Sequence, residues 1–412
     1  MNRHDVFRKS AILGALVITC FLATANGQQA RFVSAKGKEI VTPDGAPILL
    51  RGINLGNWLV PEGYMFGFDS ATSPRMINAA LTEMIGPEKA RAFWKVYRDT
   101  YITRDDIHYV RELGLNSVRV PFNWRLFAFE EETDAWTDTG FAYLDRVIRW
   151  CREEGLWVIL DMHCAPGGQT GDNIDDSWGY PFLFDSPEEQ DRTAELWRRI
   201  AARYSKETII LGYDLLNEPI PHFVDRERLN PLLEPLYRKI VTAIRSVDPN
   251  HLIILGGAQW DTNFGAFGPP FDSRLIYTFH KYWCDTVQTV IQEYLDFRDK
   301  YSVPIWLGES GENTDAWIAS FRGLLERNGI GWCFWPYKKM KSPRCVVTFA
   351  RPPGWDALAR YAGGPRAGYA SIRAHRPPAD DVWNALMEFV RSSAFEHCRP
   401  NAGYIHALGI GK

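Results

Sequence analysis

The feature that most constrains this chain is a rhythm of eight short apolar runs, each followed by a longer amphipathic or loop segment. The runs lie at residues 48–55, 116–121, 157–162, 209–216, 252–256, 275–280, 303–308 and 331–335. Most are apolar without alternation, the pattern of parallel strands buried on both faces. Between them, Phe141, Leu144, Val147, Ile148 and Cys151 line one helical face, as do Val382, Ala385, Leu386, Phe389 and Val390. Thr103 reads as a helix N-cap, with Asp105 and Asp106 in the first turn and Gly114 just past the end. Eight strands alternating with helices predict the α/β class and a closed (β/α)8 barrel. An open doubly wound sheet is the competing arrangement, but no GxGxxG follows the first run. Ahead of the barrel, residues 39–41 and 48–50 flank Pro43-Asp44-Gly45, which predicts a β-hairpin over the barrel bottom. Long loops are expected after the third strand (165–187) and the eighth (338–378), both leaving the strand C-termini where barrel sites are built.

Arg3, Arg8 and Lys9 precede an apolar run over residues 11–23 and small residues at Ala23 and Ala25. This predicts a signal peptide over 1–27, a secreted or periplasmic protein, and one catalytic domain over 28–412. The apolar run falls short of the ~20 residues needed to cross a bilayer. A net charge of −3 lacks the basic footprint of a nucleic-acid binder. Aromatic residues reach 14%, including 16 Trp and 17 Tyr, and flat rings with a polar handle suit sugar faces. No CxxC pair or Cys/His cluster at zinc spacing is present, so no metal and no cofactor is expected. No partner beyond the substrate is expected, and the protein is read as a monomer.

In a barrel enzyme the chemistry should sit where strands stop. The first strand ends in Asn54, with Asn57, Trp58 and Glu62 beyond, and the second carries Arg119 and leads to Trp124. The third runs into Asp161 and His163, the fourth into Asn217-Glu218, and the fifth into Gln259 and Trp260. The sixth gives His280 and Tyr282, the seventh Glu309, and the eighth Trp335. Glu218 and Glu309 are three strands apart on an eight-strand ring. Strands spaced about 4.8 Å and tilted ~36° separate their backbones by roughly 14 Å. Two inward Glu side chains close that to roughly 5–6 Å, near the ~5–5.5 Å of retaining glycosidases rather than the ~6.5–9.5 Å of inverting ones. The nucleophile of such a pair must be ionised, and Arg119 is the cation at hand; the acid must keep its proton, which a neighbouring carboxylate favours. His280 and Tyr282, two residues apart, share a face and can orient the carboxylates. Asp161 and Asp214 are expected to brace neighbouring backbone.

These residues together resemble glycoside hydrolase family 5, the cellulase family, and within it the exo-β-1,3-glucanase branch. The segments that carry the resemblance are Leu50-Arg51-Gly52-Ile53-Asn54-Leu55-Gly56-Asn57-Trp58-Leu59-Val60, Val118-Arg119-Val120-Pro121, His163-Cys164-Ala165-Pro166-Gly167, Leu216-Asn217-Glu218-Pro219 and Leu307-Gly308-Glu309-Ser310. They span residues 38–337; the branch has Gly where Cys164 stands, and the chain departs from it after Tyr337. The resemblance implies Glu218 as acid/base and Glu309 as nucleophile. It implies Asn217 on the sugar 2-hydroxyl, Arg119 and Tyr282 holding Glu309, and His163 and His280 framing the sugar being cleaved. Trp335 would be the stacking floor and Glu62 a sugar-hydroxyl ligand. The expected activity is hydrolysis of β-glucans, β-1,3- or β-1,4-linked, by a two-glutamate double displacement. A mannanase, xyloglucanase or glycolipid glycosidase on the same scaffold, or a non-catalytic carbohydrate binder, are the alternatives.

Overall fold

Eight strands hydrogen-bond only to parallel neighbours, and the last pairs with the first. The computed structural model describes residues 32–132 and 135–411. The leader expected over 1–27 lies outside the described residues. A hairpin of β1 (Ser34–Lys36) and β2 (Glu39–Val41) precedes β3 (Arg51–Asn54), β4 (Ser117–Asn123), β5 (Trp157–Cys164) and β6 (Ile210–Asp214). Then come β7 (Leu252–Gly256), β8 (Leu275–His280), β9 (Ile305–Glu309) and β10 (Gly331–Phe334). Strands β3 to β10 close in sequence order, β10 pairing with β3 as Cys333 opposite Gly52. The expected closed barrel is therefore present, and the open sheet is excluded.

Burial on both faces explains the unbroken apolar runs, since all seven residues of β4 and all five of β6 are buried. Inside the lower barrel, Ile159, Leu211, Leu252, Ile254, Ile276, Trp306 and Cys333 form one cluster that includes Val33 and Ile40 of the hairpin. The hairpin thus plugs the bottom, as expected, but its pairing differs. Ser34 faces Val41 and Lys36 faces Glu39, so β2 pairs with β1 and not with residues 48–50. The turn at Pro43-Asp44-Gly45 does form, with the Gly45 N–H donating to Thr42 O at 2.9 Å and Gly45 at φ +88°. Around it the ladder consists of a Val41–Pro47 bridge with bonds from Thr42 N to Ala46 O and from Ile48 N to Ile40 O. Pro47 has no N–H to extend it.

The segments on the outer rim carry more structure than loops would. After β3, a helix over Pro74–Thr100 breaks at Gly86 (φ +80°) ahead of Pro87. The expected cap at Thr103 is present, its N–H donating to Asp106 Oδ2 at 2.8 Å. Residues 338–378, expected as a long loop, instead build β11 (Lys338–Met340), β12 (Val347–Phe349) and two helices. A further strand, β13 (Arg399–Pro400), completes a three-stranded sheet. One of those helices starts at Trp355, which stacks on Phe66, Phe68 and Phe389 and so welds the segment to the loop after β3 and to the helix Ala379–Ser393. Lys338 is fully buried, its ammonium 2.7 Å from Asp106 and donating to the carbonyls of Tyr101 and Ser393. Among the described residues the six cysteines are all unpaired, and no helix is long and apolar enough to cross a membrane.

Candidate active site

The guanidinium of Arg119 is the centre from which the site is built. It rises from β4 into the barrel with no exposed surface. Its Nη1 donates to Glu309 Oε1 at 2.5 Å and to Asn54 Oδ1 at 3.1 Å. Its Nε donates to Asp214 Oδ2 at 2.8 Å, and its Nη2 to Asn217 Oδ1 at 2.9 Å, with Asp161 Oδ1 3.1 Å away. Asp161 and Asp214, expected to brace backbone, are corrected by this geometry: both hold the Arg119 side chain. A buried cation requires such pairing, and four strand ends converge on this one.

Glu309, at the tip of β9, is held from two sides. Arg119 takes one oxygen, and the half-buried phenol of Tyr282 donates to Oε2 at 3.1 Å. Glu218 lies four residues past β6 in a left-handed conformation (φ +47°), which turns its side chain back over the mouth. One of its oxygens pairs with His280 Nδ1 at 2.9 Å. The ligand atoms of Glu218, His280 and Glu309 all lie within 4.8 Å of one another, so the two carboxylates face each other across the mouth. Burial and the adjacent Glu309 carboxylate push Glu218 well above the usual carboxylate range. Burial also pushes Glu309 up, but there Arg119 and His163 pull the other way.

The imidazoles are neutral. Burial pulls His163 down to about 3 and His280 well below its ordinary value. His163 Nδ1 sits 2.8 Å from Asp161 Oδ2, and its ring stacks on Trp335 with 5.6 Å between centroids and 8° between planes. Trp335 donates from its indole to Tyr64 Oη at 2.7 Å. The first-strand signature has a reason here: a Cβ on Gly56 would come within 2.5 Å of the Trp335 ring. Gly308 is likewise required, because a Cβ there would meet His280 Nε2 at 2.7 Å.

A cleft of about 790 Å³ opens over these groups, lined by Glu62, His163, Glu218, His280, Tyr282, Glu309 and Trp335 among others. Arg119 and Asn217 lie beneath it, and all nine expected site residues are therefore brought together. Glu62 is buried with Oε1 unpartnered, and burial with Glu309 and Glu312 nearby pushes it up to about 8. Two triads bring donor atoms within 4.8 Å of one another, Asp161–His163–Glu309 and Glu218–His280–Glu309. In both, Glu309 already faces the Arg119 charge, so the set reads as a cradle for a guanidinium.

Several strand-end residues do other work. Trp124 turns outward beneath Arg192, 5.3 Å from the guanidinium carbon, and Trp58 donates to the Arg98 carbonyl. Gln259 bonds Asn230 and Asn263 instead of facing the cleft. Asp261, Glu312 and Arg344 carried no sequence signal, whereas Trp283 stands beside Tyr282 at the sixth strand end. Asp261 reaches the site through three consecutive left-handed residues, Gln259, Trp260 and Asp261 (φ +52°, +58° and +60°), and accepts from the Glu218 N–H at 3.2 Å. Its Oδ2 is also 3.3 Å from His280 Nε2. Glu312 pairs with Lys339 of β11 at 2.9 Å. The Glu312 carbonyl accepts from Arg344 at 3.0 Å and from Trp283, which is 72% exposed at the cleft edge.

Comparison with known proteins places this geometry. The chain matches the family model described as Cellulase (glycosyl hydrolase family 5) over residues 78–341. It is 34% identical over 238 residues to a β-xylosidase of Phanerodontia chrysosporium, covering 58% of this chain and 48% of that protein. It is 27% identical over 312 residues to endoglucanase C of Acetivibrio thermocellus, covering 61% of this chain and 88% of that protein. The chain spans about half the length of the xylosidase. Among solved structures, an endogalactoceramidase aligns over 75% of each chain with a TM-score of 0.57 at 20% identity, a likeness of fold alone.

Proposed function

The chain belongs to glycosyl hydrolase family 5, the cellulase family, and on that premise we propose that it is a retaining β-glycosidase acting on β-1,3- or β-1,4-linked glucans. The observation that carries this reading is the approach of Glu218 and Glu309 to within 4.8 Å. A pair this close suits direct attack on the sugar, as in retaining enzymes, better than the wider separation of inverting ones. The two environments divide the roles. Glu309, clasped by Arg119 and Tyr282, is the nucleophile; Glu218, raised and bonded only through His280 and the mouth, is the acid/base.

In the first step a Glu309 oxygen attacks the anomeric carbon while the Glu218 proton passes to the departing glycosidic oxygen. The carbon–oxygen bond breaks and a glycosyl ester forms on Glu309. Because Glu309 is then neutral, its push on Glu218 is gone. The ionised Glu218 takes a proton from water, which attacks the same carbon and regenerates both residues. His280 is neutral, so its Nδ1 accepts from the Glu218 O–H when the acid is loaded. Trp335, stacked on His163, lines the cleft as an apolar wall beside the sugar, and Asn217 and Glu62 offer polar groups for hydroxyls.

The basic, apolar and small-residue pattern over 1–27 supports export of the enzyme. A second reading has a specific observation in its favour. Trp283 and Phe223, 72% and 59% exposed, stand at or beside the cleft, so the mouth also suits an apolar leaving group such as that of a glycolipid. Laminarin, lichenan, carboxymethyl cellulose, glucomannan, xyloglucan and a glycosylceramide, each with wild type and Glu309→Ala, separate these readings. Release of sugar from a β-glucan by wild type alone is the expected result. No turnover of any β-linked substrate would leave a carbohydrate binder and refute the proposal.

A further inference from the structure

A second crevice, away from the catalytic cleft, carries charge that the protein does not neutralise. It holds about 720 Å³ between the helix that follows β3 and the helix that follows β4. Five cations line it (Arg75, Arg91, Lys95, Arg98 and Arg125) against the single carboxylate of Asp176. Three of the five are already engaged. Arg75 and Arg125 pair with Glu130 and Asp176, and Lys95 pairs with Asp99 at 2.7 Å. Arg91 and Arg98 form no ion pair among the described residues.

Arg98 is the more telling of the two. Its Nε is buried and has no hydrogen-bond partner, and its guanidinium carbon stands 5.6 Å from the Trp94 ring centroid. Burial pulls it below its ordinary value, while Tyr143, Tyr97 and Asp99 pull the other way. The buried Nε is a donor that no acceptor among the described residues takes up, and an anionic group entering the crevice would complete it. Arg91 and Arg98 are seven residues apart on one helix, two turns, or about 10.5 Å along its axis. The lining between them is mixed: Pro74, Pro87 and Leu126 with Asn78, Thr139 and Tyr143.

We propose that this crevice is a second binding site for an acidic oligosaccharide, with anionic groups of successive sugars on Arg91 and Arg98. Two cations spaced by two helical turns suit a chain of charges better than one small anion. The volume is within the roughly 300–1,000 Å³ of small-ligand sites. The net charge of −3 opposes long-range attraction of a nucleic acid, so local pairing decides the ligand. The crevice also adjoins the catalytic wall. Asp176, anchored by Arg75 and by Asn123 at 2.9 Å, is two residues from Ile174, which lines the cleft. A glycan held here therefore lies beside the catalytic mouth. That the ligand is a glycan rests on the glycosidase reading; that it is anionic does not.

The test is calorimetric titration of the full chain with trigalacturonate, with a sulfated heparin-derived hexasaccharide, with inorganic phosphate and with uncharged cellohexaose. Wild type, Arg91→Ala and Arg98→Met are compared, and Arg91→Ala keeps the test open should Arg98→Met fail to fold. The expected result is binding of one or both acidic oligosaccharides, weakened tenfold or more in the variants and by added salt. Which of the two binds identifies uronate or sulfate as the source of the charge. Hydrolysis of an uncharged β-glucan by Arg91→Ala stays at the wild-type rate. Equal affinity in wild type and variants, or no binding of either acidic oligosaccharide, overturns the site. Phosphate binding as tightly as the oligosaccharides overturns its assignment to a glycan. The binding measurements require no turnover, so their failure is distinct from failure of the glycosidase proposal.

Discussion

Replacing Tyr282 by Phe removes one oxygen atom and, with it, the only hydrogen bond to Glu309 Oε2 among the described residues. The phenol stays protonated at every working pH, because burial and the surrounding carboxylates push it well above its ordinary value. It is thus a fixed donor, 3.1 Å from a carboxylate that the proposed mechanism needs ionised. A hydrogen bond to a charged group contributes about 1.5–3 kcal/mol. At about 1.4 kcal/mol per factor of ten, kcat/KM should fall roughly 10- to 150-fold. The Arg119 bond to the other oxygen survives, so the loss stays well short of that in Glu309→Ala. The pH profile separates positioning from mere packing. Removing a donor to the ionised form raises the carboxyl pKa, so the acidic limb of kcat/KM should move to higher pH by about one to two units. The measurement is steady-state hydrolysis of an aryl β-glucoside from pH 3 to 9, beside a thermal melt. An acidic limb that stays in place, with kcat/KM within a factor of two of wild type, would refute the assignment of Glu309 as an ionised nucleophile held by Tyr282.

Glu309→Ala should abolish turnover yet keep the native circular dichroism spectrum, because Asp161 and Asp214 still pair with Arg119; an unfolded variant would contradict that division of charge. Proton NMR of early product should show the anomer of the substrate, and first appearance of the opposite anomer would overturn the double displacement. Lys338→Met should cost about 3–5 kcal/mol in urea unfolding, since it strands the buried Asp106 carboxylate; a loss under 1 kcal/mol would mean the pair is not desolvated. Glu62 holds its proton to about 8 in the folded chain, against 4.5 as its reference value. Its stabilising share is therefore complete at low pH and is lost as pH rises through 8. Glu62→Gln should melt like wild type at pH 4.5 and above it at pH 9, and equal melting temperatures at both would refute the buried-acid environment.

What the sequence made legible follows from how a parallel barrel works. Each strand end is local information, so Asn54, Arg119, His163, Glu218, His280, Glu309 and Trp335 could be placed at one mouth by position alone. The same logic overreached at Trp124, because a residue just past a strand faces inward or outward according to the turn that follows. It also underread Asp214, whose partner Arg119 lies 95 residues away; a short apolar run ending in Asp looks the same whether the carboxylate meets backbone or guanidinium. Asp261 was beyond reach for a different reason. It arrives through three left-handed residues of which none is glycine, so no composition signal marks the turn. Outside the barrel the information is pairwise and distant. Lys339 reaches Glu312 across 27 residues, and Trp355 reaches the carbonyl of Phe66 across 289, so residues 338–378 looked like open loop. These long-range contacts set the cleft edge at Glu312, Arg344 and Trp283. The reaction centre was readable because eight repeats of one local pattern build it. Most of the edge that meets the rest of the substrate was not, because packing between distant segments builds it. Specificity should therefore respond to changes in residues 338–349 while the acid and nucleophile geometry stays as it is.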